Sequence, residues 1–447
     1  MNKLLLFSVI GISIIIVLGV GIFNLQTMDI NQNHHFEFTS DYVVVPLDKE
    51  NPIKVGIIHS LSGTMAVSEK SVVDSTLMAI DEINAKGGIL GREIIPIVKD
   101  GSSDWDVFAY EAENLIVNED VDVVFGGWTS ASRKTMKPIF EEHEHLLFYP
   151  VQYEGLEKSP NIIYTGASPN QQVLPAVEWA FVNLGTKFFL VGSDYVFPRS
   201  ANEIIKSKIH ELGGTVVGEE YRPLGDQYFN DVVEKISESK PDVILNTING
   251  DSNVAFFKEL RQQGIESNEI PTISFSIAEN EIHNFGVEYL QGDYASWNYF
   301  QSLSNEKNRE FVDNFKKKYG SERVVDDPMV AGYVGVYLYA KAVESVGTTE
   351  PPQVCDALRG LTINSPKGAV GIDPETQHLS KVVRIGKILP DGQFKIVSSS
   401  EKPIPPEPFP DYKTEDQWNS FLEDLYFGWD GNWANPVLIS QGAKNEI

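Results

Sequence analysis

From Pro52 onward, short apolar runs alternate with segments whose apolar residues recur every three or four positions. IKVGIIHS reads as a buried strand, and Leu77, Ile80 and Ile83 mark the inward stripe of a helix that stops at Gly87-Gly88. The alternation continues through EIIPIVKD, a helix around Ala109 to Val117, VDVVFGG, a helix after Ser130, and HLLFYP. It then starts again. A helix from Gln171 to Leu184 leads to KFFLVGS, a helix from Ser200 to Leu212, TVVGEEY, a helix from Phe229 to Ser239, DVILNTI, a helix from Asn253 to Gln263, and PTISFS. Strand alternating with helix predicts a mostly parallel, doubly wound α/β sheet, and two rounds of it predict two lobes of similar construction. GDYASWNYF reads as a return strand, and helices around Glu306 to Tyr319 and Met329 to Val346 are expected to rejoin the first lobe. Hinge crossings then fall near Ser168, Ser296 and Gly371.

The two ends break this pattern. Leu4 to Phe23 carries no charge and only Ser8 and Ser13 as polar interruptions. At about 1.5 Å per residue it can cross a hydrocarbon core of about 30 Å, and Lys3 before it favours a cytoplasmic amino end. No A-x-A-like cleavage site follows, and no cysteine for lipidation, so an uncleaved anchor with the rest of the chain outside the cytoplasm is expected. Leu25 to Asn51 is a polar tether containing His34 and His35. KPIPPEPFPDY is extended and proline-rich, and the acidic stretch beyond it carries Trp418, Trp429 and Trp433, which reads as a strap over the lobes or, alternatively, as a docking segment for a membrane partner. The expected division is 1–24 anchor or signal segment, 25–51 linker, 52–167 with 297–370 as the first lobe, 168–296 with 371–400 as the second, and 401–447 as the tail.

A balance of 63 acidic against 36 basic residues, net −27, repels phosphate backbones and argues against a nucleic-acid partner. The single cysteine, Cys355, excludes an internal disulfide framework and a cysteine-rich zinc site. Nucleophile-elbow, phosphate-loop and zinc-protease motifs are lacking, so the expectation is a binding protein without cofactor or metal rather than an enzyme. His143-Glu144-His145 sits at a helix end with its alternate residues pointing apart, and Asp100, Asp104 and Asp106 fit helix capping better than a cation loop.

Candidate binding chemistry gathers between Phe125 and Gly155, FGGWTSASRKTMKPIFEEHEHLLFYPVQYEG. Two strand ends of one sheet deliver their loops to the same rim there. In an open α/β sheet ligands bind outside the carboxyl ends of the strands, where a helix starting at Ser130 aims unpaired N–H groups. For Ser130 itself, a plain helix cap and a ligand contact both fit.

The segments VGIIHSLSGTMAVSEKSVVDSTLMAIDEINAKGGILGREI, FGGWTSASRK, LLFYPVQYEGLEKSPNIIYTGASPNQQ, FFLVGSDYVFPRSAN, NTINGDSNVAFF, SIAENEI and ASWNYFQ resemble the urea-binding proteins of bacterial urea ABC transporters. More distantly they are similar to the amide-sensing regulator of aliphatic amidase operons and to branched-chain amino-acid receptors. The likeness runs from about Ile53 to Pro408. It implies a type I periplasmic-binding fold, with two Rossmann-like lobes, three crossings and a ligand closed between them. Position by position, it implies that Ser130, with Ala131 beside it, holds the ligand's polar group and that Trp128 is an aromatic wall. Tyr149, Gln152 and Tyr153 would belong to the loop after the next strand, and Tyr195 to the second lobe, where Phe197 replaces a tyrosine of the amide regulator. Asn249 and Asp251 match an NGD stretch, and Glu279 the acidic residue of SIAE. The implied ligand is urea or a short amide, passed to the membrane permease of an ABC importer. The alternatives are a membrane-tethered sensor with a signalling partner and a branched-chain amino-acid receptor. The anchor and the Trp-rich tail depart from the urea receptors.

Overall fold

The computed structural model describes residues 47–436. The expected anchor and most of the tether lie outside them. Among the described residues no helix is long and apolar enough to cross a membrane.

The first sheet is parallel, in the order β2-β1-β3-β4-β5, built from β1 (Asp48–His59), β2 (Arg92–Asp100), β3 (Val123–Gly126), β4 (Leu147–Tyr149) and β5 (Ile162–Tyr164). Helices α1 (Ala66–Ala85), α2 (Trp105–Val117) and α3 (Ser130–Glu142) connect its first four strands. Val123, Val124, Leu147 and Phe148 are buried, as central parallel strands covered on both faces require. Asp104 caps α2, its carboxylate accepting from the N–H groups of Asp106 and Val107 at 2.9 and 3.2 Å.

The second sheet follows α4 (Val173–Asn183). Its parallel part comprises β6 (Lys187–Ser193), β7 (Thr215–Arg222), β8 (Val243–Thr247), β9 (Thr272–Ser274) and β10 (Tyr294–Trp297). Helices α5 (Val196–Leu212), α6 (Asn230–Ser239), α7 (Ser252–Gln262) and α8 (Glu279–Phe285) cover it. The chain then returns through α9 (Glu306–Tyr319), α10 (Asp327–Val346) and α11 (Pro351–Leu358), whose apolar faces join the first core through Phe311, Val334 and Val354. A small antiparallel sheet of β11 (Thr362–Ser365), β12 (Gly368–Ile372) and β13 (Leu379–Ser380) comes next, and β14 (Arg384–Ile388) and β15 (Phe394–Ser399) close the edge of the second sheet.

The third passage between lobes departs from the sequence expectation. Val370, Ile372 and Leu379 are buried in the core of the first lobe. Apolar burial thus holds β12 and β13 there, and the chain passes over at Lys381–Val383, about ten residues beyond Gly371. Lys381 marks the passage: fully buried, it donates from Nζ to the carbonyls of Thr165 and Gly166 beside the first crossing. Burial pushes its ammonium pKa well below the ordinary value.

Beyond β15 the tail binds both lobes and forms α12 (Glu415–Gly428), opened by a capping box between Thr414 and Gln417. Trp418 is fully buried in the core beneath α4 and α5.

Candidate functional site

Loops from the carboxyl ends of both sheets meet in one cleft. On the first lobe β3 ends at Gly126, whose φ of 148° and closeness to the Ile58 carbonyl leave no room for a Cβ. The chain turns there and presents Trp128. Thr129, rather than Ser130, is the N-cap of α3: its Oγ1 accepts from the Ser132 N–H at 3.1 Å. That frees Ser130, the first helical residue, whose hydroxyl donates to Glu154 and accepts from Arg133 Nη1 at 3.1 Å.

Arg133, one turn on, is fully buried and organises the wall. Its Nη2 donates to Glu154 Oε1 at 3.0 Å and its Nε to Glu157 Oε1 at 2.8 Å, while the guanidinium lies 4.8 and 4.4 Å from the ring centres of Tyr149 and Tyr153. Lys134 donates to Glu157 Oε2 at 2.9 Å. Burial alone would raise the Glu157 carboxyl, but the charges of Arg133 and Lys134 outweigh it and hold the group well below the usual carboxylate range. Both cations are therefore spent on carboxylates of the same loop.

The second lobe meets this wall directly. Trp128 Nε1 donates to Asn249 Oδ1 at 3.4 Å, Thr64 donates its hydroxyl to Asp251, and Gln152 Nε2 donates to the Phe275 carbonyl at 2.8 Å. Gly250, at φ 66°, packs so closely on Thr64 that an added Cβ would lie 2.9 Å from its hydroxyl. Ser71 Oγ donates to Asn280 Oδ1 at 2.9 Å farther along the interface. The lobes are shut against one another. Tyr195, buried, lies 6.4 Å from the Trp105 ring, and burial, with Tyr149 and Glu154 nearby, raises its hydroxyl pKa well above the ordinary value.

Of the residues singled out from sequence, Trp128, Ser130, Ala131, Tyr149, Gln152, Tyr195 and Asn249 line this junction, all buried, with Asp251 at its edge. Two are placed otherwise. Tyr153 gives its hydroxyl to His378 and stacks on Tyr164 at 5.2 Å, which makes it a support of the Arg133 wall. Glu279 is buried at the start of α8, where Oε1 accepts from the Gln301 N–H at 2.6 Å, and its charged neighbours are Glu281 and Asp326 rather than Arg133 or Glu154. Its side chain belongs to the junction of α8 with the returning chain.

That junction holds Glu279, Glu281 and Asp326, all fully buried, with Asp327 alongside in an ion pair with Lys367 at 2.9 Å. Burial raises the carboxyl pKa of all three. Because the folded-state values lie above the ordinary ones, the stability they contribute is complete below the ordinary carboxyl values and is lost as pH rises through the raised ones. Glu279→Gln is therefore expected to lose less melting temperature than the parent between about pH 5 and about pH 9. Thermal scans giving the same loss for both proteins would contradict the placement.

Glu69, Arg133, Glu154 and Glu157 were not singled out from sequence. Glu69 accepts from the Ser60 N–H at 2.8 Å and pairs with His59 Nδ1 at 2.9 Å, which leaves Oε1 without a partner; Gln152 Oε1 is likewise unpaired. Buried acceptors of this kind call for a donor, since leaving one unmet costs about 1–3 kcal/mol. The one signal in the sequence was the i, i+3 spacing of Ser130 and Arg133 on a helix face. A separate cavity of about 510 Å³ opens between α1, α9 and α10, but it touches no cleft residue, and the Glu82 carboxylate within it already accepts from Tyr333 and Tyr337.

Two βα lobes with three crossings and a buried polar junction at their strand ends define a two-lobed solute receptor. The chain belongs to the periplasmic binding protein domain family, whose model matches residues 53–415. It is 24% identical to Leu/Ile/Val-binding protein homolog 6 of Brucella melitensis biotype 1 over 345 residues, 75% of this chain and 87% of that one. A solute binding protein of an ABC transporter from Rhodopseudomonas palustris HaA2, solved with p-hydroxybenzoic acid, is 25% identical with a TM-score of 0.73, covering 81% of this chain and 99% of its own. A stretch of 123 residues, 28% of the chain, is 40% identical to a protein named limonene hydroxylase from Geobacillus stearothermophilus, but it spans only 22% of that protein.

Proposed function

We propose that this protein is an extracytoplasmic receptor for a small, neutral, planar solute, urea or a short amide, which it carries to the permease of an ABC importer. The observation that carries the choice of solute is the pairing of Arg133 and Lys134 with Glu154 and Glu157. A carboxylate ligand placed at Ser130 would face Glu154 without a free cation to offset it, and a buried unpaired charge is costly. This disfavours aromatic acids, and leucine held by its carboxylate at Ser130, the ligand types suggested by the names of the relatives. Urea carries no charge, and its amino groups suit the unpaired Oε1 atoms of Gln152 and Glu69. Trp128 and Tyr195 supply aromatic faces for its plane.

Ser130→Ala is expected to weaken urea binding by about 1–3 kcal/mol, because it removes a hydroxyl at the first turn of α3 and leaves a Glu154 oxygen short of a donor. Equal affinities of parent and variant in a titration would place the pocket elsewhere.

A further inference from the structure

The tail encloses the cleft from hinge to rim. It begins at the hinge, where Ile404 pairs with Lys381 and its carbonyl accepts from Gln171 Nε2 at 2.8 Å. Pro405 and Glu407 bond the Asn170 side chain, and the Pro408 carbonyl accepts from the Leu156 N–H at 2.7 Å on the first lobe. It then crosses to the second lobe, where Tyr412 donates to Glu211 at 2.8 Å, Lys413 pairs with Glu203 at 2.8 Å, and α12 buries Trp418 beside α5. After α12 the chain turns back to the cleft.

At that point it completes the loop that carries Tyr195. Tyr195 is the N-cap of α5 but makes no side-chain cap, so the first N–H groups of the helix need an outside acceptor. The Trp433 carbonyl accepts from the Val196 N–H at 2.9 Å, and Ala434 bridges Tyr195 itself. The Asn435 N–H donates to the Asp194 carbonyl at 3.2 Å, and its side chain to the Asp194 carboxylate at 3.0 Å. From this anchorage on the second lobe the Trp433 ring reaches the first, with Lys134 Nζ 4.9 Å from its centre. Tyr426 backs the indole at 4.6 Å.

We propose that Trp433–Asn435 is a latch on the cleft: it positions the Tyr195 loop and holds it to α3 through Lys134, so that opening the lobes must release it. Trp433 is thus a positioning residue, acting on the solute through Tyr195 and Lys134. The proposal goes beyond the choice of solute, and its test needs none, so its failure and that of the urea reading are distinguishable.

The test is a distance measurement between spin labels at Tyr110→Cys on the first lobe and Tyr228→Cys on the second, both 69% exposed, in the full-length chain, where the native Cys355 is buried. Trp433→Ala and Asn435→Ala are each expected to move the distance distribution to longer values. Asn435→Ala removes the side-chain pairing with Asp194 and carries the test if Trp433→Ala does not fold. Phe427→Ser, on the exposed face of α12, is expected to leave the distribution unchanged. Distributions of the latch variants that superpose on the parent's, or an equal shift in Phe427→Ser, would overturn the proposal.

Discussion

Replacing Arg133 by methionine is expected to destabilise the protein by about 3–5 kcal/mol, a large part of the net stability of a folded domain. The guanidinium is fully buried and meets Ser130, Glu154 and Glu157 at once, with the Tyr149 and Tyr153 rings packed on it. Methionine fills much of the volume but leaves two buried carboxylates with only Lys134 to answer them. The loss is therefore the cost of leaving the remaining charges buried and uncompensated, not the worth of the pairs taken singly. Adding Glu154→Gln and Glu157→Gln to the methionine variant is expected to restore part of it. Guanidinium unfolding is the measurement, and an Arg133→Met midpoint equal to the parent's would show that the network carries no such burden.

Trp128→Ala is expected to abolish measurable solute binding, and Trp128→Phe to weaken it about tenfold. The indole does two separable things: its face walls the junction, and its N–H reaches across to Asn249 on the opposite lobe. Alanine removes both and leaves a cavity in a buried position, the kind of change that costs about 3–5 kcal/mol for a large aromatic residue. Phenylalanine keeps most of the wall and removes one neutral hydrogen bond, worth about 0.5–1.5 kcal/mol. The interlobe bond exists only when the cleft is shut, so its loss also shifts the opening equilibrium away from the binding form. Titration of the two variants with urea separates these contributions; equal affinities for alanine and phenylalanine would mean the ring face plays no part.

The alternation of strand and helix was legible because buried parallel strands are continuous apolar runs, such as VDVVFGG and DVILNTI, which local chemistry marks without help from tertiary contacts. The loops at the strand ends and Ser130 followed from that alternation, whereas the roles of Trp128, Tyr149, Tyr195 and Asn249 within those loops came from the resemblance to the urea receptors. What depended on distant packing was not legible. Gly371 looks like a break, yet Val370, Ile372 and Leu379 are held by the first core and delay the crossing to Lys381. Glu154 and Glu157 are unremarkable in sequence, and only the fold brings them onto Arg133 more than twenty positions away. Glu279 sits after a strand end as expected, but its carboxylate is turned to the Gln301 N–H. The strap was suggested by the prolines and tryptophans of the tail, whereas the return of Trp433 to the Tyr195 loop has no local signature.

A cleft whose cations are already paired is expected to take a neutral solute. Isothermal titration calorimetry of the purified protein with urea, acetamide, leucine and 4-hydroxybenzoate tests it most directly. Saturable binding of urea or acetamide, with no heat of binding from leucine or 4-hydroxybenzoate, is the expected result; saturable binding of leucine or 4-hydroxybenzoate with no response to urea or acetamide would contradict it.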